Sequence, residues 1–266
     1  MPELDPFEVL FDAADSDAEF PEELRRVYGG DLWLDETCLY ANFVSTVDGV
    51  VAIPALEGSN QVIAAGSKAD NFLMGVLRAL ADCVLVGAGV LRDSPQGTWQ
   101  PAPVYPSAAE AFAELRRGLG LSEPPVVAVL SGRGQIDIGH PLLANGALIL
   151  TSSRGAERLR DVPPATTVVV LGEETLFDGR LVVDALHERG LRRILSEAGP
   201  HVFGSLLEAG VVDELFLTIS PRLAGHAGEG SRLRLVEGAD LIPLLELRPS
   251  SLRRHGDHLF ARYRVG

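Results

Sequence analysis

The chain has 266 residues, 46% of them hydrophobic, which is enough for a substantial buried core. Its formal net charge of −14 repels polyanions, and no basic run offers a local exception, so nucleic acid and anionic membrane surfaces are set aside as partners. Lys68 is the only lysine, a bias toward arginine that needs no special role. Cys38 and Cys83 are too few and too far apart for a disulfide framework, so a reduced, cytoplasmic setting is expected, and Cys83 lies in an apolar run that reads as core. The sequence shows neither a charged-then-apolar leader nor an apolar stretch long enough to cross a bilayer, and it reads as a soluble protein. Its six histidines have no ligand spacing, so no metal is expected.

Nine acids and no base precede Arg25, so residues 1–35 are expected to be an acidic, solvated, partly helical extension packed on the domain. From residue 39 onward strand and helix patterns alternate, the signature of a mostly parallel sheet covered by helices, and residues 36–266 are expected to form one domain. The apolar run at residues 39–44 is the first strand and leads to a turn at Asp48-Gly49, where glycine supplies backbone freedom. Residues 66–80 read as a helix capped by Ser67, with Phe72, Leu73, Val76, Leu77 and Leu80 on its buried face. A buried strand starts at Cys83 and ends at Val86. Residues 93–106, rich in proline and polar side chains, read as a loop. Further strands fall at residues 126–130, 147–151 and 167–171, and a helix at 181–189 precedes a strand ending at Ile194 and Leu195. Strands at 214–219, 244–247 and 259–263 leave no room for long crossovers, so the C-terminal part should be antiparallel and the sheet mixed.

Three strand tips point to a ligand. After Leu195 the chain turns at Gly199-Pro200 into a helix that begins near His201, with Val202, Phe203, Leu206 and Leu207 on its inner face. Proline suits the first helical position because its missing N–H costs nothing there, and glycine allows a conformation or close approach closed to other residues. The free N–H groups and the dipole of such a helix favour phosphate, and a diphosphate-bearing cofactor is the natural tenant; an ordinary strand-to-helix connection is the other reading. Gly87-Ala88-Gly89 is not the dinucleotide fingerprint, because the third glycine would fall at Arg92 and Asp-Ser-Pro follows where a helix should start. It does offer a tip without bulk, against which a flat ligand or a phosphate can lie. Ser131 and Arg133 lie just past another strand end and can hold a monophosphate through charge-assisted hydrogen bonds, as a 2′-phosphorylated nicotinamide cofactor requires; Arg133 as a plain loop arginine is the alternative. Tips at the carboxyl edge of a parallel sheet cluster, so all three segments are expected to line one crevice.

Residues 42–49 (Asn-Phe-Val-Ser-Thr-Val-Asp-Gly), residues 77–89 and residues 197–221 (opening Glu-Ala-Gly-Pro-His) together resemble the reductase domain of the bifunctional riboflavin-biosynthesis deaminase-reductase. The first of these and residues 66–78 resemble in particular its stand-alone relatives, the pyrimidine reductase family proteins. The resemblance implies a dihydrofolate-reductase-like α/β fold: three α/β/α layers with a mixed, mostly parallel central sheet and an antiparallel C-terminal edge. It also implies NADPH as hydride donor, and a homodimer. Carried over by position, it sets Ser45, Val62, Gly87, Ala88, Gly89, Val90 and Asp93 against the cofactor and Ser131, beside Arg133, on the adenosine 2′-phosphate. Gly199, Pro200, His201, Val202, Phe203, Gly204 and Ser205 would cradle the diphosphate. Arg78 and Glu197 match positions that face the substrate, and Asn42 and Asp48 belong to the motif on that side. Asp48, in an Asp-Gly turn, also reads as support for the loop over the cofactor. Asp70 matches a carboxylate facing the ligand ring; it could pair with an aminopyrimidine edge and favour a protonated ring nitrogen, or simply compensate the helix dipole. Asp70 and Glu197 are the leading candidates for the catalytic proton, with Asp48 or a water as the other sources.

One departure bears on the substrate. The family's reductase usually continues from its glycine strand through Thr-Val-x-Ala-Asp-Asp-Pro-x-Leu-x-x-Arg, whose arginine holds the substrate's phosphate. Here residues 90–99 read Val-Leu-Arg-Asp-Ser-Pro-Gln-Gly-Thr-Trp, with Trp99 or Gln100 near the arginine's place and Arg92 as the nearest substitute. The readings are therefore a reductase of the aminopyrimidinone ribosyl phosphate of riboflavin synthesis, a dihydrofolate or pterin reductase on the same fold, or a non-catalytic NADPH-binding protein. The His-x-Glu and Pro-Cys-x-x-Cys of the deaminase half are absent.

Overall fold

The computed structural model of the protein describes residues 4–13, 20–225, 228 and 230–266. In chain order the strands are β1 (Glu8–Asp12), β2 (Cys38–Thr46), β3 (Val50–Ala52), β4 (Cys83–Gly87), β5 (Val126–Leu130), β6 (Leu148–Ser152), β7 (Thr167–Gly172), β8 (Arg193–Ser196), β9 (Glu214–Ser220), β10 (Leu233–Arg234), β11 (Leu247–His255) and β12 (His258–Val265). Ten of them form one sheet in the order β1-β11-β12-β9-β2-β8-β4-β5-β6-β7, and β10 pairs with β3 beside it. From β9 to β7 in that order all neighbours are parallel. β12, β11 and β1 are added antiparallel, which gives the mixed sheet and the antiparallel C-terminal edge. β9 itself lies parallel to β2, although it was expected within the antiparallel group. The Pro200–Glu208 helix carries the chain back to the start of the sheet before β9 begins.

A parallel sheet needs cover on both faces, and its strands are accordingly apolar throughout. On one face the Lys68–Leu80 helix packs Phe72, Val76 and Leu77 over Tyr40, Val84, Leu195 and Phe216. On the other, the Gly179–His187 and Pro200–Glu208 helices set Val182, Leu186, Phe203 and Leu206 against Leu39, Ala41, Leu85 and Ile194. The N-terminal stretch contributes to the first core: Leu4, Phe7, Phe20, Leu24 and Tyr28 are buried. The Phe7 ring lies 4.7 Å from Phe260 and 6.0 Å from Phe72.

Three local expectations are corrected. Ala88–Asp93 is a helix that starts directly at the tip of β4; Pro95, which cannot continue it, follows two residues beyond its end. Residues 93–106 are not one loop, because Pro101 and Pro106 open a short helix (Pro101–Val104) and a 3-10 turn (Pro106–Ala108). The strand expected at 244–247 begins only at Leu247, and Leu244 is 85% exposed.

Candidate functional site

The chain moves outward from β4 through β5 and β6 to β7, then returns to insert β8 between β2 and β4. That reversal opens a crevice at the carboxyl ends of the central strands, where open α/β sheets bind ligands. The Gly199-Pro200 turn, the Gly87 tip and the Ser131 tip all lie at this edge.

The β4 and β8 tips touch: a Cβ built on Gly87 would sit 3.7 Å from Val202 Cγ2 and 3.9 Å from the Gly199 nitrogen. Gly199 has φ −68° and ψ 169°, an extended conformation open to any residue, so backbone freedom is not what glycine provides here. A Cβ at Gly199 would meet nothing within 4 Å, and glycine thus preserves open space above the turn. Below that space the Pro200–Glu208 helix begins without a side-chain cap. Pro200 carries no N–H, and the Val202 and Phe203 N–H groups donate to the Gly199 carbonyl at 3.0 and 3.1 Å, so this end offers the opening its positive dipole and the His201 N–H. This is the setting a diphosphate fits.

At the β5 tip glycines fix the turn by close contact. A Cβ on Gly132 would lie 1.9 Å from the Thr175 carbonyl oxygen, and one on Gly134 (φ +61°) 2.2 Å from that of Gly155. Thr151 Oγ1 donates to the Ser131 carbonyl at 2.7 Å and Ser152 Oγ to that of Gly132 at 2.7 Å. The turn is therefore rigid, with Ser131 buried and Arg133 exposed at its end.

The remaining residues expected on the cofactor side divide. Ala88, Gly89 and Val90 form the first turn of the helix after β4, half-buried, and Asp93 ends it, exposed. Ser45 is buried near the end of β2, on the same strand face as Phe43, and Val62 stands 40% exposed on the short Ser59–Ile63 helix. His201 is exposed beside Gly238, whose Cβ would lie 3.1 Å from His201 Nδ1. Phe203, Gly204 and Ser205 are occupied by packing. The Phe203 ring lies 4.9 Å from that of Phe43, a Cβ on Gly204 would come 2.7 Å from the Glu237 carbonyl oxygen, and Ser205 Oγ donates to Phe177 O at 2.8 Å. The open mouth of the helix is limited to Gly199, Pro200, His201 and Val202.

The opposite face of the sheet carries the charged groups. Arg78, near the end of the Lys68–Leu80 helix, donates from Nε to Glu197 Oε1 at 2.7 Å and from Nη2 to Glu197 Oε2 at 2.6 Å. Its Nη1 donates to the Gln100 carbonyl at 3.3 Å. Both side chains are 11% exposed, so this is a buried, bidentate pair. Glu197, proposed from sequence as a proton source, has both oxygens committed to the guanidinium, and Arg78 is equally committed to Glu197.

Asp70 differs. Ser67 caps the helix, its Oγ accepting from the Asp70 N–H at 3.2 Å, and the Asp70 side chain is buried at 5% exposure. Burial lifts its carboxyl to about 6; the Thr218 hydroxyl opposes the rise and the nearby Glu197 charge adds to it. Thr218, from β9, faces this carboxyl without a regular hydrogen bond to it. Asn42 lies on the same sheet face, because β2 and β9 pair Asn42 with Phe216 and Val44 with Thr218. The structure thus brings Asp70, Arg78 and Glu197 together with Asn42 and Thr218 beneath them. Asp48 does not join them. Its exposed carboxylate accepts from Thr46 Oγ1 (2.6 Å) and from the N–H groups of Ala224 (3.1 Å) and Gly225 (2.7 Å), and these bonds hold its pKa at about 2. It clamps the β2–β3 turn to the loop after β9. Thr218 and the Gln100 carbonyl were not anticipated. Alternation along β9 marks Thr218 as inward-facing, but no local pattern pairs it with a helix some 150 residues earlier in the chain.

Among the described residues no helix is long and apolar enough to cross a membrane. The 2,5-diamino-6-ribosylamino-4(3H)-pyrimidinone 5′-phosphate reductase of Archaeoglobus fulgidus is 28% identical over 191 residues, 70% of this chain and 81% of that protein. The protein of the same name from Methanothermobacter thermautotrophicus is 26% identical over 234 residues, 84% of this chain and 96% of the other. The solved structure of a pyrimidine reductase-like protein from Corynebacterium diphtheriae superposes with a TM-score of 0.71 at 24% identity, covering 91% of this chain and 98% of that one. It shares this fold. Residues 37–259, from the start of β2 into β12, match the RibD C-terminal domain, and the chain belongs to that family.

Proposed function

We propose that this protein is an NADPH-dependent reductase of a pyrimidine-type heterocycle, acting on the diaminopyrimidinone ribosyl phosphate of riboflavin biosynthesis or on a close relative of it. The observation that carries this reading is the convergence, at one sheet edge, of an open glycine-lined helix mouth with a buried carboxyl that is readily protonated. Gly87, Gly199, Pro200, His201 and Val202 would hold the cofactor's diphosphate, and Ser131 with Arg133 its 2′-phosphate. When bound there, the cofactor supplies a hydride to the acceptor carbon. The chain's own part is to align the acceptor and deliver the balancing proton to the adjacent nitrogen or oxygen. Asp70 suits that task, since a proton donor works best with a pKa near the working pH. Glu197, tied to Arg78, is a positioning group.

A second reading, reduction of dihydrofolate or another pterin, is favoured by the same Asp70 and by the commitment of Arg78 to Glu197, which removes the buried cation a substrate phosphate would seek. Oxidation of NADPH, followed by loss of its absorbance with the ribosyl phosphate and with dihydrofolate in parallel, tests both. Turnover of the first alone supports riboflavin synthesis and of the second alone the pterin reading. Failure to bind NADPH would defeat both. Arg133→Ala should weaken NADPH about tenfold, the scale of a charge-assisted hydrogen bond, and leave NADH unchanged. A homodimer and a cytoplasmic location accompany this proposal, to be checked by solution mass and by cell fractionation.

A further inference from the structure

Between the β4 tip and the buried Arg78–Glu197 pair runs a segment, residues 94–100, that is held from outside the site. Ser94 O closes a tight turn by accepting from the Gly97 N–H at 2.8 Å. The same oxygen lies 3.0 Å from His140 Nε2. His140 is buried at 4% exposure, and its Nδ1 accepts from the Leu142 N–H at 3.2 Å, capping the Pro141–Ala144 turn. The two partners fix the tautomer, because a nitrogen that accepts carries no proton and the other must then donate. Trp99, 4% exposed, packs its ring 6.2 Å from the His140 ring and holds a left-handed φ of +50°. Such a backbone is strained for a bulky residue and persists only where its surroundings over-determine it. The following residue is Gln100, whose carbonyl accepts from Arg78 Nη1.

We infer that His140 is a positioning residue for the substrate side of the site: by tying Ser94 it sets the turn and Trp99, and so aims the Gln100 carbonyl that orients Arg78 against Glu197. The inference rests on the reading of Arg78 and Glu197 as substrate-side groups, but its first readout does not. His140 makes two bonds, and two variants separate them. His140→Asn keeps a side-chain acceptor for the Leu142 N–H and is too short to reach Ser94. His140→Gln keeps a donor that reaches Ser94 and gives up the cap.

The measurement is solvent exchange of the Arg78 Nε–H in labelled, ligand-free protein, with thermal midpoints recorded alongside. His140→Asn should accelerate that exchange about tenfold, the scale of one hydrogen bond, whereas His140→Gln should leave it near the parent value. With the diaminopyrimidinone ribosyl phosphate as acceptor, His140→Asn should then raise KM, with kcat and NADPH affinity unchanged. Equal exchange in parent and Asn variant, or acceleration in the Gln variant alone, overturns the inference and leaves His140 as a helix cap. A parent protein that exchanges as expected but turns over no acceptor defeats the functional reading and not the role of His140.

Discussion

The two sides of the crevice are built on opposite means. The side proposed for the cofactor is bare backbone: Gly87 against Gly199, a helix mouth without a cap, and a turn at Gly132 and Gly134 that admits no side chain. The side proposed for the substrate is side chains locked in burial, with Arg78 and Glu197 paired through both oxygens and Asp70 desolvated above β9. Backbone recognises a phosphate through geometry that folding fixes, whereas a buried charged cluster depends on each partner being present. Substitutions on the two sides should therefore fail differently.

The largest expected effect is at Asp70. Asp70→Asn should lower turnover by about 10²–10⁴-fold, the usual worth of a positioned general acid, with NADPH affinity unchanged in equilibrium titration. Asp70 has a pKa raised to about 6 from 3.8. Its contribution to stability is therefore fully present below the lower value and lost as pH rises through the upper one, a change of about 3 kcal/mol. Activity that uses the protonated form should fall above about pH 6, and Asp70→Asn should be more stable than the parent at pH 8. A variant that is inactive but no more stable at pH 8 would show that the carboxyl is not strained by burial.

Next comes the ion pair. Arg78→Met leaves Glu197 buried and unpaired, and should cost about 3–5 kcal/mol in denaturant unfolding. Replacing both partners by apolar residues should recover most of that stability without recovering acceptor binding. If the single variant proves as stable as the double, the pair is not sealed from water.

The glycines of the Pro200–Glu208 turn and helix sharpen the contrast further. Gly204→Ala drives a Cβ toward the Glu237 carbonyl at 2.7 Å and the Ala239 Cβ at 3.0 Å, and should destabilise by about 1–3 kcal/mol. Gly199→Ala meets nothing within 4 Å and should fold as the parent does, yet weaken NADPH about tenfold by filling the space over the helix mouth. Asp48→Ala, the mildest change, should loosen residues 222–225 and speed their proteolysis with little change in thermal midpoint. The Asp48 pKa is depressed to about 2, so this clamp weakens only as pH falls toward that value.

Much of this was legible in the sequence because it is local. The strand at residues 126–130, the Ser67 cap and the Gly-Pro helix start follow from neighbouring residue types, and parallel strand tips must share an edge. Asp70 stood out only through the resemblance to the stand-alone pyrimidine reductases, its place at a helix start alone being explained by dipole compensation. What could not be read was the state of these groups. Nothing near Glu197 in sequence indicates that Arg78, 119 residues away, takes both its oxygens. For Gly199 the sequence leaves both an unusual conformation and a close approach open; the φ of −68° removes the first, and the open space that suits the second exists only in the assembled crevice.

By itself the sequence determined the alternation of elements, the mixed sheet and the edge at which a ligand would sit, because periodicity and turn chemistry act over a few residues. The tertiary structure alone decided which charges are spent on one another and which remain available. Burial and pairing depend on distances between segments far apart in the chain: Thr218 beneath Asp70, Gln100 beside Arg78, and His140 behind Ser94. Those distances separate the desolvated carboxyl of Asp70 from that of Glu197, which a guanidinium holds at both oxygens.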